Sequence, residues 1–205
     1  DFELGRNDEF GKWQLSKVSP VAQKTLNQII QNLQSGEKIQ VIAGPINSGK
    51  TFLLNQLEYN YSTSFLFASK DERNTQDIPA VFLALRKQLH QLIQNNQLDA
   101  LNGQSNLLAI IPNSILYFLP ELRILKNQLR FSAEQEYLEQ QQLFQMLVKL
   151  TDYFNISTTP TLFLVDDYEQ LDSFTQEFLQ FVLKNYDDKQ LIFSGKSVGP
   201  FDTIL

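Results

Sequence analysis

Between a short apolar run and a stretch with helical periodicity, the sequence reads Gly44-Pro45-Ile46-Asn47-Ser48-Gly49-Lys50-Thr51. The spacing Gly-x4-Gly-Lys-Thr belongs to a loop whose backbone amides converge on one point. Glycine permits that convergence because no Cβ stands in the way. A helix opening near Lys50 adds the positive end of its dipole to the same point. Such a loop holds an anion, and its residue types specify phosphate. Lys50 is long enough to reach β- and γ-phosphates, and the Thr51 hydroxyl can ligate magnesium. Gly44, Asn47, Ser48, Gly49, Lys50, Thr51 and Phe52 are therefore nucleotide-binding candidates, with Lys50 also a catalytic candidate and Thr51 a metal ligand.

The flanks supply the strand and helix that such a loop needs. Residues 38–43 carry Ile39, Val41, Ile42 and Ala43, a run that predicts a buried strand, and Phe52, Leu53, Leu54 and Leu57 predict a helix after the loop. Upstream, Val21, Leu26, Ile29, Ile30 and Leu33 predict a helix over 19–35 that Gly36 stops. Downstream, residues 64–68 predict a second strand, 69–76 a polar connection and 78–93 an amphipathic helix. The apolar stretch 107–125, broken by Pro112 and Pro120, predicts short helices joined by a kink. Ser132 is placed to cap a long helix running to about Phe154, with Glu134 and Glu136 in its first turn and the Gln140, Gln141, Gln142 run on a solvated face inside it. Residues 161–165 predict a third strand, 173–184 a helix and 191–194 a fourth strand. Strands alternating with helices indicate an α/β domain with a mainly parallel sheet. With the loop, this predicts a P-loop three-layer sandwich carrying a helical insertion over about 77–154.

A second constellation follows the loop by about 115 residues: the apolar strand Leu162-Phe163-Leu164-Val165 runs into Asp166-Asp167. It has the form of a Walker B strand, in which Asp166 supports magnesium and Asp167 orients or deprotonates the attacking water. In the fourth strand, Ser194 or Lys196 is placed to sense the γ-phosphate, although a strand that merely turns polar as it surfaces explains both residues equally well. His90, the single histidine, lies mid-helix between Leu89 and Leu92 and reads as a solvated or partly buried residue. Asp187 and Asp188 read as a solvated turn.

Composition removes several classes of function. The chain of 205 residues has no cysteine, which excludes disulfides, thiol catalysis and cysteine zinc sites and fits a reducing cytoplasm. A net charge of −6, with no run of Lys and Arg, argues against direct nucleic-acid binding. No apolar run reaches the length of a membrane span. The sixteen phenylalanines read as core, since a base-stacking platform would interleave aromatic with basic residues. The chain reads as one domain, a segment of something longer.

The opening Phe2-Glu3-Leu4-Gly5-Arg6-Asn7-Asp8-Glu9-Phe10 resembles the Gly-Arg box that precedes the P-loop in AAA+-related STAND ATPases. The nearest likeness is to the ATPase domain of bacterial multidomain serine/threonine kinase–sensor histidine kinases and related regulators. Ala68-Ser69-Lys70-Asp71, Asp77-Ile78-Pro79, the stretch from Ile110-Ile111-Pro112 to Pro120-Glu121-Leu122, and the spacing from Asp166-Asp167 to Asp172 are similar as well. The resemblance spans nearly the whole chain. It implies ATP as the nucleotide, Leu4, Gly5 and Arg6 as contacts on the adenine side, and a Walker B strand not adjacent to the P-loop strand. A lid subdomain with a second sensor would follow Leu205, and any arginine finger would come from elsewhere. Three departures from the family pattern stand out. Asn47 replaces a loop glycine, Tyr168-Glu169-Gln170-Leu171 replaces a Leu-Gln-Trp-Ala, and Leu143 stands where an arginine is common. These departures leave the binding determinants in place and bear on hydrolysis.

The expected function is an ATP-binding, slowly hydrolysing regulatory switch. Its partners would be neighbouring domains or proteins of a signalling assembly, with nucleotide-dependent self-association as a further outcome. The alternative of another class is a non-hydrolysing nucleotide-binding scaffold, and a third is a DNA-directed AAA+ ATPase, which the charge balance disfavours.

Overall fold

Side chains along a strand point alternately to opposite faces of a sheet, and in this chain the alternation sorts the whole core. The computed structural model describes residues 19–61, 64–68, 78–95, 97, 111–123, 139–155 and 160–196. Four strands, β1 (Ile39–Ala43), β2 (Ser64–Phe67), β3 (Leu162–Val165) and β4 (Gln190–Gly195), form one sheet in the order β1-β4-β3-β2. Every neighbouring pair is parallel. Parallel strands need crossovers rather than tight turns, and the helices supply them: α1 (Pro20–Gln34), α2 (Lys50–Asn60), α3 (Ala80–Gln94), α4 (Asn113–Phe118), α5 (Gln140–Phe154) and α6 (Ser173–Asn185). The expected α/β class with a parallel sheet is present. β4 lies between β1, which runs into the Gly-rich loop, and β3, which runs into the two aspartates.

Alternation gives each face its own core. Phe65, Phe67, Phe163, Val165, Leu191 and Phe193 turn to one side, where α3, α4, α5 and α6 contribute Val81, Leu85, Ile115, Leu147 and Phe178. Leu162, Leu164 and Ile192 turn to the other and meet Leu26, Ile29 and Leu33 of α1 and Leu53, Leu54 and Leu57 of α2. The result is three layers, helix–sheet–helix.

Helix ends follow local chemistry. Ser19 caps α1 by accepting from the Ala22 amide at 3.2 Å, and Pro20 occupies the first helical position, where its missing N–H costs nothing. Gly36 ends α1 at φ +86°, with its own amide on Leu33 O and that of Glu37 on Asn32 O, a Schellman closure. Val21, counted in the apolar series, is exposed. Gln40 of β1 donates to Ile29 O and accepts from Asn32 Nδ2, and Gln190 of β4 donates to Leu33 O, so two strand glutamines tie α1 to the sheet.

One helix begins later than expected. α5 starts at Gln140, not near Ser132, because Glu139 is extended and forms a capping box with Gln142: the Glu139 amide donates to Gln142 Oε1 while the Glu139 side chain accepts from the Gln142 amide. The glutamine run is thus the exposed first turn of α5, not part of its interior. Ser132, Glu134 and Glu136 lie outside the described residues. No helix among the described residues is long and apolar enough to cross a membrane.

Candidate functional site

The strand register brings the site together. Val165 of β3 stands beside Phe193 of β4, so the next residues along, Asp166 and Ser194, are neighbours. Both have the parity of Leu164 and Ile192, the α2 side of the sheet. The Asp166 amide extends the ladder to Phe67 O at 2.8 Å, which keeps its backbone strand-like at the sheet's carboxyl end.

The loop arrives at the same end from β1. The Gly44 amide donates to Gly195 O at 3.2 Å, anchoring the loop's base on β4. A Cβ on Gly44 would fall 2.8 Å from Ser48 Oγ, so this glycine answers a close approach within the loop. Asn47 takes φ +64° and Gly49 φ +88°. Asparagine is among the few residues that accept this left-handed conformation, and the loop forms with it. Gly49 then opens α2 with no side chain of its own, so the first amides of that helix have no side-chain cap.

Lys50 is buried, and its ammonium donates to the carbonyls of Gly44 and Pro45, each at 3.0 Å. Two of its three protons thereby brace the loop. Thr51 Oγ1 donates to Asp166 Oδ2 at 2.8 Å, joining residues 115 positions apart. Ser194 is fully buried; its hydroxyl donates to Asp166 Oδ1 at 2.7 Å and accepts the Asp167 amide at 3.0 Å. Asp167 is half-buried and left-handed, at φ 42° and ψ 62°, and its carbonyl accepts from Gln170 to start the single turn Tyr168–Gln170.

The structure therefore gathers Gly44, Lys50, Thr51, Asp166, Asp167 and Ser194 at one end of the sheet. Asn47, Ser48 and Phe52 are exposed on the loop and first turn of α2, and Lys196, exposed, follows the Gly195 that anchors the loop. Leu4, Gly5 and Arg6 lie outside the described residues. Of the two sensor candidates, Ser194 is already engaged by both aspartates, whereas Lys196 stands open beside the loop.

Magnesium fits this donor set. A threonine hydroxyl and one carboxylate are hard oxygen ligands of the kind that hold this ion together with phosphate oxygens and water. Among the described residues no three His, Cys, Asp or Glu side chains cluster as an all-protein cage would require. A groove of about 440 Å³ between α1 and β1, lined by Thr25, Asn32, Glu37, Val41 and others, has no Lys or Arg in its lining and does not include the loop.

No family model matches the chain. A comparison with curated proteins finds no match either. The assignment of the site therefore rests on its residues.

Apart from Asn47, the departures from the resemblance lie away from the loop. Tyr168 and Leu171 are buried on the aromatic face, Tyr168 edge-on to Phe193 at 5.5 Å, while Glu169 and Gln170 point to solvent. Leu143 packs against the same face, across the sheet from Lys50. His90 is half-exposed and shares Glu121 Oε1 with Arg86, at 2.9 and 2.7 Å. Burial pushes the Glu121 carboxyl up, but hydrogen bonds from its own amide, His90 and Arg86, with the Arg86 charge, outweigh this and hold it below its usual value.

Two arrangements escaped sequence reasoning. Asp187 and Asp188 are not merely solvated: Asp187 pairs with Lys38, and Asp188 joins Asp152 on the buried Lys189. Asp172, noted only for its spacing, caps two helices. Its Oδ1 accepts from Thr175 at the start of α6, and its Oδ2 accepts from Ala80 at the start of α3, where the N-cap Pro79 has no side-chain acceptor to offer. Thr175 Oγ1 adds a bond from the Val81 amide. The one available signal was that Pro79, as N-cap, obliges some other chain segment to satisfy α3.

Proposed function

We propose that this chain is a P-loop ATPase domain of the STAND type, which binds ATP with magnesium and serves as a slowly hydrolysing regulatory switch. The observation that carries the reading is the Thr51–Asp166 hydrogen bond, which joins the loop of one strand to the acid of another across an intervening strand. In this reading the loop amides, Lys50 and the open N-terminus of α2 bind the phosphates. Thr51 and Asp166 hold magnesium, which neutralises charge on the β- and γ-phosphates when bound. Asp167 orients the attacking water and accepts its proton. Lys196 takes the γ-phosphate contact. ATP, rather than another nucleotide, follows from the resemblance of the Gly5-Arg6 box. The switch would act on neighbouring domains or on partner proteins, including further copies of the chain.

The test is binding and turnover of ATP by the purified chain. Lys50→Ala should weaken binding about 10- to 100-fold, the worth of a charged hydrogen bond. Asp167→Ala should bind normally and lose about 100-fold or more in turnover, as expected for a general base. Unmodified protein that binds ATP without turning it over would assign the domain to the scaffold class. Absence of binding would sink both readings.

A further inference from the structure

Ser194 is the one polar residue in an otherwise apolar stretch of β4, following Leu191, Ile192 and Phe193, and it is wholly buried. A hydroxyl has a single proton to give. In Ser194 that proton goes to Asp166 Oδ1, and the oxygen accepts the Asp167 amide. Nothing remains with which to donate to a phosphate oxygen. Asp166 is thereby held at both oxygens, by Ser194 on one and Thr51 on the other, which sets the orientation of its carboxylate. Asp167 is held by its amide in a left-handed turn that an L residue rarely adopts unaided. The same hydroxyl thus fixes the direction of one aspartate side chain and the backbone of the other.

We infer that Ser194 is a positioning residue, which acts on the magnesium–nucleotide site through Asp166 and Asp167 and does not itself touch phosphate. The inference rests on the nucleotide reading above, and it separates the two residues that the sequence left as equivalent sensors. Lys196 reaches outward, and Ser194 holds the acids from within.

The experiment compares unmodified protein, Ser194→Ala and Ser194→Thr, using a fluorescent ATP analogue with and without magnesium, and amide hydrogen exchange at Asp167. In Ser194→Ala, binding in EDTA should stay within about twofold of the unmodified chain, as no phosphate contact is lost. The magnesium concentration for half-maximal enhancement should rise about tenfold, and the Asp167 amide should exchange at least about tenfold faster, the scale of one hydrogen bond. Ser194→Thr, which keeps the hydroxyl, should restore both. An unchanged magnesium requirement overturns the inference, and so does a loss of metal-free binding equal to the metal-assisted loss, which would make Ser194 a direct ligand. An unmodified chain that takes up no nucleotide overturns the parent reading instead; the exchange rate at Asp167 then still decides whether Ser194 holds the turn. Should Ser194→Ala fail to fold, Ser194→Cys, whose thiol is a weak donor, takes its place.

Discussion

The two faces of the sheet use different residues for the same purpose. Toward α3, α5 and α6, rings interlock: Phe163 meets Phe65 and Phe67 edge-on at 6.0 and 5.4 Å, Phe144 and Phe178 stand 5.8 Å apart, and Phe82 stacks on Phe118 at 4.3 Å. Toward α1 and α2, the buried apolar residues are leucine and isoleucine alone. Aromatic pairs add roughly 0.5–1.5 kcal/mol each beyond the area they bury, so stability is concentrated on the side away from the chemistry. The aliphatic side carries what the other lacks: buried Lys50 and Ser194 at the sheet's end, and the glutamines that tie down α1.

Substitution on each face can break that contrast. Phe163→Ala, at the meeting point of Phe65, Phe67 and Phe178, should cost about 3–5 kcal/mol in a urea titration. Nucleotide affinity of the folded fraction should be unchanged. Leu54→Ala, fully buried on the inner face of α2, should cost about 2–5 kcal/mol and also weaken nucleotide binding. Equal effects on binding would show that the faces are not divided as described. A smaller loss, about 1–2 kcal/mol, should follow Asp172→Ala, which uncaps α6 and leaves the Ala80 amide unpaired. It should leave metal-free ATP binding intact.

The smallest effect concerns pH. Glu121 is held below its ordinary value of 4.5 by its amide, His90 and Arg86. A depressed carboxyl contributes stability that is present above the unfolded value and lost as pH falls through the folded one. Stability should therefore decline below about pH 4.5 with a component that Glu121→Gln removes. If the acid limb is identical in the two proteins, the Arg86–Glu121–His90 cluster contributes nothing on the aromatic side.

Much of this architecture was legible in the residues because the strands are short apolar runs with sharp ends. Each was placed to within a residue or two, and the parallel class followed from their alternation with helices. The loop and the acid strand were each legible as local patterns, and the structure joins them through Thr51 and Asp166. What the sequence could not convey was lateral. The contact of Ser194 with Asp166 depends on β4 lying next to β3 in a particular register, and no local pattern carries register. Asp172 and Ala80 are 92 residues apart, and only the fold makes one the cap of the other. The late start of α5 was missed because a glutamate is an unusual N-cap residue, whereas Ser132 offered the favoured type.

The strand order also sets a timetable. β1 is made well before its partner in the described sheet, β4, and Gly44 waits for the carbonyl of Gly195. About 150 residues separate the two, roughly 8–30 s of translation at 5–20 residues per second. Until β4 is made, the loop has a motif but no floor beneath it. Pairings so distant along the chain form slowly. The loop would thus gain its base only when β4 pairs with β1, and the same strand brings Leu191 and Phe193 to the aromatic core.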